Sequence, residues 1–452
     1  MLKKLNQSIL NIFVVKPGTV EPLAYMDGIR AIAVLQVLVF HCWVLSGSPE
    51  LTFKSPFSGN ITHWTFLISA GHTGVLLFFA LSGFLLAQNW FSADYNNKPR
   101  PSVRKYFRLR FFRIMPAYYS CLFFMLLFFT PKYIPSAYVF SGDGFFALGA
   151  HLTFTQYLFP ISSGDYTING SLWTLTIEMI FYLVLPWAIP LFLRNRWIIA
   201  VPFAIIANIL WLYLCKYSLD PVVAIYQSSV ARFSVDSETI RYFLSNQFFG
   251  YISFFALGIA VANVYTRYRL NIPSGKIFKI ATGKIAGNFY FIIGLALILS
   301  LLFELRNDSS LIIQYYAGRI LYGIGITLFI MGVLFGSNFW RYIFSITPLR
   351  IIGIIGYSVY LWHMPLIYLI KSYPEIEALP VEQRFLQVLL YTSVGVFLLG
   401  TIFYLAIEKP FMLSARKNSK QPVVMDAAPV QLSSMPQESH INIVGTYFEN
   451  NH

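Results

Sequence analysis

The chain is short of charge. Only 12% of its 452 residues are Asp, Glu, Lys or Arg, against about 25% in an ordinary soluble domain. So little charge cannot cover a water-facing surface, and a soluble enzyme is excluded. Acid is scarcer than base, 19 residues against 33, for a net charge of +14. In an apolar chain such an excess reports topology rather than nucleic-acid binding, because Lys and Arg are retained on the cytoplasmic side of a membrane. No nucleic-acid partner is expected. Cysteine is scarce too. Cys42, Cys121 and Cys215 all lie in apolar stretches, and an odd count without CxxC excludes a disulfide framework or a zinc cluster. No metal is expected. The opening MLKKLNQSILNIFVV has too short and too polar a core for a cleavable signal peptide. Residues 1–20 read as a cytoplasmic segment, amphipathic against the inner surface.

What is abundant is hydrophobic length. Apolar residues make up 57% of the chain, and many runs reach the 18 or more residues that cross a hydrocarbon core about 30 Å thick. Barrel strands are shorter and alternate in polarity, which these runs do not. The expected fold is all-α and polytopic, with about ten transmembrane helices near 24–46, 71–90, 113–131, 172–193, 197–216, 247–265, 286–303, 314–336, 349–371 and 386–407. The connections alternate in charge. Lys98, Arg100, Arg104, Lys105, Arg108 and Arg110 lie between the second and third spans, and Arg194 and Arg196 between the fourth and fifth. Arg267, Arg269, Lys276, Lys279 and Lys284 lie between the sixth and seventh. The intervening connections are poor in base. Both termini are therefore expected in the cytoplasm, in a multi-pass plasma-membrane protein (the inner membrane, if bacterial). Residues 21–411 form the membrane domain. The polar tail, 412–452, has too little apolar area to fold alone. No internal repeat of the kind found in many transporters is visible.

Against this background the buried polar residues stand out. In YMDGIRAIAVLQVLVFHCW (25–43), Arg30 and His41 are eleven residues apart. That is three helical turns, so they share a face at depths roughly 16 Å apart. Asp27 lies three residues before Arg30 and can pair with it. Glu178, in NGSLWTLTIEMIFYLVLP (169–186), descends from the outer side to about the depth of His41. His363, in GYSVYLWHMPLI (356–367), also falls in the outer half. Ionisable residues at such depth cost a few kcal/mol and usually face a cavity or a partner. Interhelical hydrogen bonding is the plainer explanation for each alone. A His and a carboxylate at matched depth point instead to an oriented imidazole acting as a base. Arg110 and Arg113, three apart in RKYFRLRFFRIMPAY (104–118), share a face at the inner boundary, where two guanidinium forks can hold phosphate. Trp173 and Trp362 are candidates to stack on a sugar, although membrane tryptophans more often form interfacial belts.

In this order the motifs resemble the membrane acyltransferase 3 family, which O-acylates carbohydrates and related acceptors. The resemblance covers residues 21–411. YMDGIRAIAVLQVLVFH looks like the family's first-helix motif, GVLLFFALSGFLL (74–86) its second, and RLRFFRIMPAY (108–118) its Arg-x-x-Arg block. SLWTLTIEMIFYLVLP (171–186), FFGYISFFALGI (248–259), GYSVYLWHMPLI and IEKPF (407–411) are similar to its later blocks. Leu76 replaces an acid common in the second motif, and Ala31 a common glycine. The resemblance is to the acyltransferase-only form, because the tail is too short for the esterase-like domain that some members carry.

The resemblance implies an acyl-CoA donor, usually acetyl-CoA, from the cytoplasm, and a sugar hydroxyl of a surface polysaccharide or lipid-linked glycan as acceptor. It implies His41 as the catalytic histidine, Arg30, Arg110 and Arg113 as the essential arginines, and Glu178 as the acidic position of the fourth motif; the arginines are expected to bind the donor and Glu178 to orient His41. His363, Trp362 and Trp173 are expected to contact the acceptor, and Asp27 to be structural. A proton-coupled transporter uses the same buried residue types. The missing repeat and the ordered blocks argue against it.

Overall fold

The computed structural model describes residues 2–15, 23–54, 61–163, 168–230, 235–307 and 318–417. The chain is a helical bundle. An amphipathic helix, α1 (Leu2–Phe13), precedes α2 (Ala24–Leu45), α3 (Gly74–Tyr95), α4 (Val103–Phe124), α5 (Trp173–Ala188), α6 (Trp197–Tyr217), α7 (Ile252–Arg269), α8 (Lys284–Asn307), α9 (Gly318–Phe335), α10 (Thr347–Ile354), α11 (Gly356–Lys371) and α12 (Val381–Phe403). A two-stranded antiparallel hairpin, β1 (Thr52–Lys54) with β2 (Ile61–His63), sits in the connection after α2 and pairs Phe53 with Thr62.

The bundle is apolar on both its inside and its outside. Leu183, Trp187, Ile199, Phe203, Ile292 and Leu398 are exposed around its waist, as a lipid-facing wall requires. Polar side chains such as Gln88, Asn208, Asn263, Ser358 and Glu408 are buried. Asn263 Nδ2 donates to the carbonyls of Phe192 and Arg194, and Asn208 Oδ1 accepts from Ser253 Oγ at 2.6 Å.

Among the described residues, eight helical segments are long and apolar enough to cross a membrane, nine if the bent pair α10–α11 is one span. The sixth expected span is α7, which falls short on composition because Asn263, Arg267 and Arg269 lie towards its end. It nevertheless runs the length of the bundle. Its last turns reach the Phe192–Asn195 connection through Asn263 and Arg267. The turn leading into it meets Arg319 at the start of α9. The chain ends share a face, where Tyr404 Oη and Lys409 Nζ donate to the carbonyls of Phe13 and Ile12.

Two expectations need correction. The ninth span is not one rod: it bends by 72° between α10 and α11. Gly353 is pressed so close to α2 that an added Cβ would lie 1.8 Å from the Asp27 carbonyl oxygen. Gly28 makes the same approach to Phe344 from the other side. The Asp-Gly pair thus serves backbone contact, with Asp27 placed between α2 and α10. The other concerns the expected tail: its first residues, 412–417, belong to the helix Lys409–Lys417, and the rest of it lies outside the described residues.

Candidate active site

His41 projects from the last third of α2, and His363 from the middle of α11, which packs beside it. Their rings are 5.0 Å apart between centroids, and His363 Nε2 lies 3.1 Å from His41 Nδ1. The remaining contacts fix the tautomers. His363 Nδ1 is 2.6 Å from the Tyr360 carbonyl, which only accepts, so Nδ1 carries the proton and Nε2 is the acceptor. His41 Nδ1 is 2.9 Å from the Val37 carbonyl. It therefore carries a proton shared between Val37 and His363. The lone pair of His41 is left on Nε2, the nitrogen with no partner among the described residues. That is the arrangement of a base held from behind.

Glu178 does not provide that hold. It accepts from Ser82 Oγ at 2.9 Å and from Tyr182 Oη. The sequence put Glu178 at the depth of His41; in the structure it lies beside Tyr182 and Arg110 instead. Helix α5 packs against α3 and α4, whereas α2 packs against α3, α10, α11 and α12. The two residues therefore meet different neighbours, and it is His363 that lies against His41.

Towards the start of α2, Arg30, Arg110 and Arg113 come within Coulombic reach of one another, with Tyr182 and Glu178 beside them. Arg30 bonds Asp27 at 3.2 Å, and Asp27 also meets Arg350 at 3.8 Å. Among the described residues, Arg113 makes one hydrogen bond, to the Met412 sulfur at 3.8 Å. Arg110 makes no hydrogen bond or ion pair among the described residues, and its Nε is buried. Glu408 sits close to Arg113 but is bonded to Ser358 Oγ. Guanidinium forks without a carboxylate partner among the described residues, as at Arg110 and Arg113, suit an anion.

Arg30, His41 and Arg110 are half-buried. His72, at the start of the second span, is exposed to the same degree or more. The Phe40 ring lies between it and His41, with centroids 5.3 and 5.2 Å away. His72 was not singled out in the sequence because it precedes the apolar run. Glu408 was overlooked for another reason. It lies in a π-turn, Tyr404–Glu408, a rare local widening that recurs at functional sites and has no sequence periodicity of its own.

The two tryptophans part company. Trp362 is buried against Phe124 and Phe403. Trp173 is half-buried between Tyr157 and Tyr251. Its neighbours in the Asn-Gly-Ser-Leu-Trp block tie α5 to α11. Asn169 Nδ2 donates to the Leu361 carbonyl at 3.0 Å, and Tyr360 Oη donates to the Ser171 carbonyl at 2.6 Å.

Fold and site together define a multi-pass helical membrane protein with a base-forming histidine above a cluster of arginines. Residues 23–407 match the acyltransferase domain family (Acyl_transf_3), and the chain belongs to that family. It is 25% identical over 400 residues to the peptidoglycan O-acetyltransferase OatA of Listeria monocytogenes, covering 87% of this chain and 56% of that protein. It is 25% identical over 392 residues to the O-acetyltransferase OatA of Staphylococcus aureus, covering 85% and 56%. The putative peptidoglycan O-acetyltransferase YrhL of Bacillus subtilis is 26% identical over 393 residues, covering 85% and 54%. The chain thus spans about half the length of these relatives. No solved structure matches it.

Proposed function

We propose that the protein is a membrane O-acyltransferase, moving an acetyl group from cytoplasmic acetyl-CoA to a sugar hydroxyl of a surface or lipid-linked glycan. The observation that carries this reading is the free Nε2 of His41, held from behind by His363, on the same helix as Arg30. Membership of the acyltransferase family and likeness to O-acetyltransferases support the reaction class.

Arg110 and Arg113 bind the phosphates of the donor at the inner face, where soluble CoA is found. Arg30 steadies the pantetheine arm on its way to His41, roughly 16 Å along α2. The acceptor hydroxyl gives its proton to His41 Nε2 as its oxygen attacks the thioester carbonyl. A C–O bond forms and the C–S bond breaks. The proton passes from His41 to the departing thiolate, so no covalent enzyme intermediate is needed. His363 Nε2 and the Val37 carbonyl stabilise the imidazolium while it lasts. Glu178 works among the arginines, where with Tyr182 it sets the charge around Arg110. Trp173 is the aromatic left to meet the acceptor. Both termini lie in the cytoplasm, as the basic connections imply.

The test is transfer of label from radiolabelled acetyl-CoA to a crude surface-glycan extract by the protein in nanodiscs. Alkali-labile label in the glycan, with one free thiol released per acetyl transferred, is the expected result. Proton-coupled solute flux with no thioester consumed would replace this reading with a transporter.

A further inference from the structure

At the basic end of the bundle the connection between α7 and α8 folds over the loop after α9 and encloses a cleft of about 700 Å³. Arg267, Lys279, Lys284 and Arg341 line it, with Phe278 and Asn338, and no Asp or Glu does. None of these residues belongs to the His41–Arg113 site.

Its chemistry is that of an anion site. Lys279 and Lys284 are exposed and make no hydrogen bond or ion pair among the described residues. Arg267 stacks over the Phe278 ring at 4.9 Å and is held by Asn195 and Ser274. Its Nε is buried and unpartnered. Arg341 is fixed by the Val333 and Gly336 carbonyls. Thr282, Gly283 and Lys284 bring the N-terminus of the 24-residue α8 to the same wall, where free backbone N–H groups and the helix dipole favour negative charge. Retention of base at the inner face explains the number of these charges. It does not explain their convergence on one concave, acid-free wall with an orphaned guanidinium N–H.

We infer that this cleft binds a phosphate group, carried either by the nucleotide end of acyl-CoA or by the headgroup of an anionic phospholipid. The volume is within the range of small-ligand pockets. The nucleotide source rests on acyl-CoA being the donor; the lipid source does not.

The variant is Lys279→Gln/Lys284→Gln, two exposed changes. Its control is Lys98→Gln/Arg196→Gln, which removes the same charge elsewhere in the basic connections. One arm titrates adenosine 3′,5′-bisphosphate into lipid-free protein in detergent. The other counts phosphatidylglycerol retained by protein extracted from mixed phosphatidylcholine–phosphatidylglycerol nanodiscs. Weakening of either ligand by roughly tenfold in the cleft variant alone is expected, and the arm that responds names the source. No change in either arm, or equal loss in the control, overturns the inference. Acetyl transfer by the wild type is measured in parallel. If it is absent, the donor reading fails while the lipid arm still decides the site.

Discussion

His363 Nε2 lies 3.1 Å from His41 Nδ1, and together with the Val37 carbonyl on the same nitrogen it leaves Nε2 as the nitrogen of His41 with no partner among the described residues. A carbonyl holds the far side of His363, so the pair has a direction. The proton sits between the rings, and the lone pair of His41 points away from His363.

The first prediction follows from that direction. His363→Gln keeps an oxygen that accepts from His41 Nδ1, and should retain much of the activity. His363→Leu removes the acceptor and should lower kcat by roughly a hundredfold, the scale of general-base effects, with the KM for acetyl-CoA unchanged. Steady-state kinetics on both variants decide it. Equal losses in the two would mean that His363 is only a packing residue.

A second concerns the arginines. Arg110→Ala and Arg113→Ala should each weaken CoA binding about ten- to hundredfold, the worth of a hydrogen bond to a charged group. Lysine should not restore it, because an ammonium cannot reproduce a bidentate fork. Calorimetric titration with CoA in detergent tests this. Full binding by Arg113→Lys would show that charge alone is sufficient.

The third uses the contact between α2 and α10. A Cβ at Gly353 would collide with the Asp27 carbonyl, and overpacking of this kind costs about 1–3 kcal/mol. Gly353→Ala should lower the melting temperature and, by shifting Asp27 against Arg30, weaken donor binding. Gly149→Ala, where nothing lies within 4 Å, should be neutral or stabilising. A Gly353→Ala protein as stable as the wild type would show that the two helices move apart freely.

The fourth is a pH effect outside the membrane spans. His151, on the Gly142–Leu152 helix of the connection between α4 and α5, is fully buried. Burial holds its pKa down to about 4, against the partial offset of its bond to the Ala147 carbonyl. The unfolded histidine titrates near 6.5, so between 6.5 and 4 the unfolded chain binds the extra proton. Stability is complete above about pH 6.5 and falls as pH drops towards 4, by about 3 kcal/mol at most. Melting curves from pH 7.5 to 4.5 should show the fall. His151→Gln should flatten it, and an unchanged slope would remove His151 as its cause.

These predictions rest on residues that were unequally legible in the sequence. The long apolar helices, and the spacing of Arg30 and His41 along α2, follow from hydrophobic length and a rise of 1.5 Å per residue. The pairing of side chains between helices does not, because it depends on which helices become neighbours. Glu178 was therefore expected at His41, whereas it bonds Ser82 and Tyr182. The bend at Ile355 and the π-turn at Glu408 are local departures from the helical period. Only tertiary contacts, Gly353 on Asp27 and Ser358 on Glu408, reveal what they do.

The central claim is that donor binding and proton abstraction are separate duties of Arg113 and His41. Its most direct test is a single-turnover assay in nanodiscs with radiolabelled acetyl-CoA and the glycan extract, run beside an equilibrium binding measurement. His41→Ala should bind acetyl-CoA as the wild type does and transfer slower by a factor on the order of 10² to 10⁴. Transfer by His41→Ala at the wild-type rate would contradict the account and leave the base to be sought elsewhere, at His363 or His72.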